Sequence, residues 1–393
     1  MFNLAEIQAV LGQMKLDGWL LYDFRGSNVL AERVLGIAPE KVGSRRYAYF
    51  IPPTGQPRKL VHRIEMGALD HLPGEKTVYL RWQEFEAGLK TLVAGAKRVA
   101  LEYAPKNGIP YLARVDAGTV ELLRGFGVEP ICSGDLIQHF EACWDEEMWR
   151  LHLEACKHTE AAYGIAWKFI ADAVRAGRVV REKQVADVIM EHFKKTGMTT
   201  YSPPIVGVNA NSGDPHHESS DAEIHNGDFV LIDLWAKMNH PNGVYSDLTW
   251  VGYLGTSVPA KYEEIFKIVA RGRDAGINFV KDAYAAGKPI AGWQVDDATR
   301  KVIEDAGYGA AFCHRTGHNI GRETHGNGAN MDNLETHDER QVMPRTCFSI
   351  EPGIYLPEFG VRSEVNVYID AGGGVHVTGP KPQTAVLPVL AMY

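Results

Sequence analysis

Four acids and a histidine stand where this sequence could do chemistry: Asp233, Asp247, His318, Glu351 and Glu364. Asp233 lies in the apolar run 229–234 and Asp247 in the run 244–251, with the turn signal His240-Pro241-Asn242-Gly243 between them. The midpoint of the two aspartates is position 240, inside that turn. Glu351 and Glu364 flank Pro357-Glu358-Phe359-Gly360, and their midpoint falls between Pro357 and Glu358. Acids equidistant from a hairpin turn are expected opposite each other, with Cβ atoms about 4.5–5.5 Å apart. Two carboxylates that close in apolar surroundings repel, and desolvation disfavours both charges. A divalent cation between them resolves the conflict. A single aspartate in a strand is ordinarily a solvated edge residue or a turn partner. Two pairs, each mirrored about its own turn and with the stretch His314-Arg315-Thr316-Gly317-His318 between them, outweigh that reading.

Four carboxylates and one imidazole do not describe a structural zinc site, which prefers Cys and His and closes at four ligands. They suit two divalent ions per chain, with Mn expected first and Co, Zn or Fe as alternatives. Paired ions can share a bridging hydroxide and polarise a carbonyl, so the expected reaction is hydrolysis of an amide. Glu351 is best placed to take the proton of the attacking water. Gly317, beside His318, would permit close backbone approach.

The elements that must position these residues fill only part of the chain. At 393 residues two domains are the default. In residues 1–144, short apolar strands near 19–22, 47–52, 59–62, 77–80, 99–101 and 128–131 interleave with helical patterns at 3–16, 84–94 and 117–124. That alternation predicts a small α/β domain. The polar stretch Arg25-Gly26-Ser27-Asn28 reads as a surface turn. From Asp145 a long helical pattern opens with three acids, which suit a helix N-terminus, and it runs to about Ala176 before Gly177. Residues 145–393 form the second domain, with further helices expected at 181–195, 261–286 and 294–306, the two hairpins, and a last strand at 375–378. The overall class is α+β.

In this order, Asp, Asp, His, Glu, Glu, the ligand set resembles that of the pita-bread metallopeptidases, the group of methionine aminopeptidase, aminopeptidase P and prolidase. The segments that carry the likeness are LIDLWAK…VYSDLT, HRTGHNIG, SIEPGIY and GVRSEVNV. The resemblance spans about 145–393 and implies a C-terminal pita-bread (creatinase/aminopeptidase-like) domain. The preceding domain is similar to the creatinase-type N-terminal domain of the prolidase, aminopeptidase P and creatinase branch. The likeness implies that His216, in Asp214-Pro215-His216, and His325, seven residues after His318, contact substrate and hydrogen-bond the reacting carbonyl. It also implies an arginine, here Arg340, that binds the free carboxylate of an Xaa-Pro dipeptide. The leading expectation is therefore a proline-specific Xaa-Pro dipeptidase, usually a homodimer in this branch. The alternatives are an aminopeptidase P acting on longer peptides, a creatinase-like enzyme acting on a small non-peptide molecule, and a non-catalytic binding protein. The chain departs from the family at Trp235, where Gly is usual after Asp-Leu, and at Trp250, where Arg is usual. Either tryptophan could fill space near the metals or simply join the core.

Composition narrows the partners. The formal net charge of -8 argues against nucleic acid, whose phosphates need a basic surface. The five cysteines form no CxxC pair, which fits a reducing compartment. The first residues lack a basic segment followed by an apolar core, and no apolar run is long enough to span a membrane. The expected location is cytoplasmic.

Overall fold

Strand β1 (Gly18–Asp23) is buried along its whole length, so it needs cover on both faces. Helices supply it in the computed structural model, which describes residues 2–41 and 43–393. β1 lies inside a six-stranded sheet with β2 (Tyr47–Ile51), β3 (Arg58–His62), β4 (Glu75–Tyr79), β5 (Arg98–Leu101) and β6 (Glu129–Cys132), in the order β4-β3-β2-β1-β5-β6. Trp19 and Leu21 face α1 (Leu4–Gln13), α2 (Val29–Leu35) and α5 (Gly134–Glu141), while Leu20 and Tyr22 face α3 (Trp82–Leu92) and α4 (Ala117–Gly125). The stretch Arg25–Asn28 is more than a surface turn. Asn28 is fully buried, caps α2 through its side chain, and donates to the buried carboxylate of Glu102 at 2.8 Å. Neither α2 nor α5 was anticipated, because both are short and follow polar segments.

The contacts divide between Glu141 and Ala142, and the second unit is built separately. Its first helix, α6 (Glu146–Arg175), is capped by Asp145, whose carboxylate accepts from the Met148 N–H at 2.8 Å. The next is α7 (Glu182–Lys195). Strand β7 (Ile205–Val208) pairs with β8 (Phe229–Met238), which forms a long antiparallel hairpin with β9 (Ser246–Tyr253). Period-two alternation sorts this hairpin into faces. Ile232, Leu234, Leu248 and Trp250 turn to α6 and α7, where Trp250 stacks on Tyr163 at 5.0 Å. Asp233, Trp235, Asp247 and Thr249 share the other face.

The two aspartates are not directly opposed. Asp233 pairs with Thr249 and Asp247 with Trp235, so the hairpin centres on position 241, not 240, and the acids are diagonal neighbours. The tip causes the shift: Lys237 and Met238 leave the hairpin and pair with Thr199 and Met198. Diagonal neighbours are roughly 7–8 Å apart and still on one face, so the acids converge without touching.

The glutamates do stand opposite each other. Strand β10 (Cys347–Ile350) pairs with β13 (Val365–Ile369), and β11 (Gly353–Tyr355) pairs with β12 (Gly360–Arg362), all in one register about the same turn. Glu351 and Glu364 occupy the break between these ladders. A final strand, β14 (Val375–Thr378), flanks β13. Phe348, Ile350, Val365 and Val367 bury one face of this sheet against α8 (Ala260–Ala285) and α9 (Gly292–Asp305). No helix among the described residues is long and apolar enough to cross a membrane.

Gly317 joins the histidine segment to this sheet. Its backbone exchanges hydrogen bonds with Met331 at 3.2 and 2.9 Å, and a Cβ at this position would lie 2.0 Å from the Ser349 carbonyl oxygen. The contact is backbone, so a flexible side chain cannot yield. Gly317→Ala is expected to cost about 1–3 kcal/mol, typical of overpacking, and to lower the unfolding temperature by roughly 2–10 °C. Thermal unfolding checks this; a variant that melts with the wild type would contradict so close an approach.

Candidate metal centre

Asp233 and Asp247 reach the site from the β8–β9 hairpin, Glu351 and Glu364 from the break between ladders, and His318 from the segment after Gly317. One oxygen or nitrogen from each of Asp247, His318 and Glu364 lies within 4.8 Å of the others, and all three residues are buried. His318 Nε2 is 3.6 Å from Asp247 Oδ2 and 3.3 Å from Glu351 Oε1. These are not ion pairs, because burial and then the charge of His325 hold the His318 pKa well below its usual value. Neutral imidazole is the form that ligates a metal.

The acids are under strain. Burial pushes up the pKa of Asp233, Asp247 and Glu364, and that of Glu351 rises to about 7. For Asp247 and Glu364 the neighbouring carboxylates add to the effect. One guanidinium opposes this. Arg362 donates through Nη2 to Asp233, through Nε to Thr249 Oγ1 at 3.0 Å and through Nη1 to the Tyr355 hydroxyl at 3.0 Å. Thr249 in turn donates to Glu364 Oε2 at 2.8 Å. Two oxygens, Asp233 Oδ1 and Glu364 Oε1, are buried with no hydrogen-bond partner. Arg362, with Arg315 at the cavity wall, leaves four carboxylates short of positive charge, and that deficit with two bare oxygens fits divalent cation binding by this donor set.

A cavity of about 490 Å³ opens over the cluster and is lined by His216, His325 and all five candidate ligands. His325 packs edge-on against His318 with ring centroids 4.3 Å apart. Its neighbour in sequence, Thr324, also lines the wall. His216 sits at the cavity while His217 does not; His217 binds the fully buried Glu182 at 2.8 Å.

Arg340 is elsewhere. Its Nε and Nη2 grip Asp338 at 2.9 and 2.6 Å, its Nη1 donates to the Asn327 carbonyl, and it is buried outside the cavity lining. A fork already closed on a buried carboxylate has no capacity for a substrate, so the expected role does not hold. The arginines of the cavity wall are Arg362 and Arg315. Sequence reasoning passed over both. Arg362 could have been found, because it lies two residues before Glu364 and therefore shares its face.

Two further features set the histidine segment. His314 donates from Nδ1 to the Arg315 carbonyl at 2.7 Å, which leaves Nε2 to accept from the Tyr355 hydroxyl at 2.7 Å. Asp296, on α9, accepts from the amide and hydroxyl of Thr316 and from the Asn333 amide. It fixes the main chain two residues before His318.

Comparison with known proteins accords with this geometry. Residues 150–371 match the profile of Peptidase_M24, metallopeptidase family M24. The chain belongs to metallopeptidase family M24. "Probable dipeptidase PepE" of Mycobacterium tuberculosis is 28% identical over 351 residues, which cover 88% of this chain and 86% of that protein. The Xaa-Pro dipeptidase of Pyrococcus furiosus is 34% identical over 201 residues, 50% of this chain and 53% of its own length. Among solved structures, dipeptidase PepE from Mycobacterium ulcerans superposes with a TM-score of 0.68 at 23% identity, covering 98% of this chain and 96% of that one. The prolidase of Pyrococcus horikoshii gives 0.60 at 23% identity, covering 98% and 99%. The fold is thus the α+β pita-bread fold of the M24 prolidases and aminopeptidases P.

The raised carboxylates make stability depend on pH and metal. The folded, metal-free chain holds a proton on Glu351 between the ordinary value of 4.5 and about 7, where the unfolded chain has released it. More protons on the folded state mean that stability falls as pH rises through that window. Chelated protein is expected to melt at progressively lower temperature from about pH 4.5 to about pH 7. A divalent ion at 100 times its Kd contributes about 2.7 kcal/mol, or roughly 5–10 °C for a unit of this size, and more of the rise appears at the upper end. A melting temperature that is flat in pH and indifferent to divalent ions would contradict the strained cluster.

Proposed function

We propose that this chain is a peptidase that uses two divalent metal ions, Mn first among them, to hydrolyse the bond before proline in Xaa-Pro dipeptides. Asp233, Asp247, His318, Glu351 and Glu364 would hold the ions. The observation that carries the reading is the buried carboxylate cluster with bare oxygens beneath a cavity walled by His216 and His325. When bound, the ions supply Lewis acidity and an activated water. Glu351, at the cavity wall, would take the proton from that water. Ser349 Oγ, 3.0 Å from Glu351 Oε1, orients the carboxylate. His216 and His325 hydrogen-bond the scissile carbonyl and the oxyanion that develops from it. Arg362 holds Asp233 in place and opposes the rise in its pKa. The proline preference draws on the likeness to the Pyrococcus furiosus Xaa-Pro dipeptidase, and Arg315 in the cavity wall is a charge suited to a free carboxylate.

The test is hydrolysis by Mn-loaded protein of Xaa-Pro dipeptides against Xaa-Pro-Yaa tripeptides. Faster dipeptide cleavage is expected; faster tripeptide cleavage would make the enzyme an aminopeptidase instead. His216→Ala and His325→Ala should retain bound metal and lose turnover by roughly 100–1000-fold, the usual cost of one oxyanion donor. Loss of metal in proportion to activity in either variant would show that histidine to be a ligand.

A further inference from the structure

The first unit gathers three buried acids at one end of its sheet. β1, β5 and β6 run parallel, so Asp23 at the end of β1 and Glu102 just after β5 stand at the same, carboxyl edge. Tyr47 opens the antiparallel β2 at that edge and pairs directly with Asp23. Asp23 shares the face of Trp19 and Leu21, and Glu102 that of Ala100, the face covered by α2 and α5. Asn28 ties these two carboxylates together. Its amide N–H donates to Asp23 Oδ1 at 2.8 Å and its side chain to Glu102 Oε2 at 2.8 Å. Trp19 Nε1 donates to Glu102 Oε1 at 2.7 Å. Glu32 enters from the first turn of α2, four residues after its cap Asn28.

Two oxygens at this edge have no partner. The Tyr47 hydroxyl, on a side chain 5% exposed, and Glu32 Oε1, on one 8% exposed, are buried without a hydrogen bond. Burial raises the Tyr47 pKa, and the charges of Asp23, Glu32 and Glu102 raise it further, with no basic group set against them. Arg33, next to Glu32 in sequence, turns to Glu141 at 3.3 Å. A bare hydroxyl and a bare carboxylate oxygen in the field of two further carboxylates are a donor set for a cation that prefers hard oxygens. The connections also part here. α2, after β1, covers one face of the sheet, and α4, after β5, covers the other. The carboxyl end between two such strands is where open α/β sheets take ligands.

The size of the ion follows from the spread of the acids. Among the described residues, only Asp247, His318 and Glu364 bring three acidic or imidazole atoms within 4.8 Å of one another. Oxygens about 2.3–2.6 Å from a calcium ion would fall near that span. Asp23, Glu32 and Glu102 are spread more widely, which suits a larger ion of single charge. We propose that this edge of the first unit binds a monovalent cation of potassium or ammonium size, ligated by Glu32 Oε1 and the Tyr47 hydroxyl and balanced by Asp23 and Glu102. The ion fastens α2 to the β1–β2 pair, so it stabilises the first unit and takes no part in the chemistry of the second.

The experiment melts the full chain, treated with chelator to remove divalent ions, in potassium, ammonium, sodium or choline chloride at one ionic strength. Potassium and ammonium are each expected to raise an unfolding temperature, saturably and by roughly 2–8 °C over choline, and sodium by less. Should only one of the two act, it is the ion the site takes. Glu32→Gln keeps the shape of the side chain and should lose the response; Tyr47→Phe should weaken it. Melting that is equal in all four salts, a sodium effect as large as that of potassium, or a response retained in Glu32→Gln overturns the proposal. Should Glu32→Gln fail to fold, wild-type crystals grown in rubidium chloride decide the matter. An anomalous peak beside Glu32 Oε1 and the Tyr47 hydroxyl is expected, and density that accounts for a water only overturns the site.

Discussion

Four carboxylates packed into one buried place are the constraint on which the second unit depends. Desolvation works against each of them, repulsion adds to it at Asp247, Glu351 and Glu364, and Arg362 opposes the rise. An interior of this kind persists when the surrounding fold over-determines it and when a cation completes it. The fold supplies the first condition. Two ladders in one register bring Glu351 and Glu364 opposite each other, and the β8–β9 hairpin brings two aspartates onto a single face. Asp296 and Gly317 fix the segment that delivers His318.

Other buried acids of the second unit are more fully partnered. Asp296 accepts from Thr316 and Asn333 and pairs with Arg300. Glu182 is enclosed by Ser220, His217, Asn211 and the Val208 amide, which together hold its pKa below the ordinary value despite burial. Asp338 is closed by Arg340. Each has its acceptors filled. Among the buried acids of the second unit, Asp233 and Glu364 each keep a bare oxygen, where a cation would supply the missing partner.

How far this was legible in the sequence depends on the element. The glutamate pair was readable because one uninterrupted register links both strands to the Pro357–Gly360 turn. The aspartate pair was readable only to within two residues, because Lys237 and Met238 exchange partners at the hairpin tip, and a local turn signal carries no information about Met198 and Thr199. Face parity would have separated Trp235, which joins the site, from Trp250, which joins the core. Arg340 misled because a guanidinium beside two acids reads equally as surface or site, and only burial shows that Asp338 takes it. Arg315 stands inside the quoted histidine stretch, but only the tertiary structure shows that it lines the cavity.

The central claim is that this cluster is completed by divalent cations and is inert without them. The most direct measurement is metal content alongside hydrolysis: chelated protein is titrated with Mn, bound ions are counted per chain, and Xaa-Pro cleavage is followed at each step, for wild type and Asp247→Asn. Two ions per wild-type chain are expected, with activity that returns as they bind, and a variant that loses at least one ion and nearly all turnover. Full activity in the chelated protein, or a cluster that takes up no ion, would contradict it.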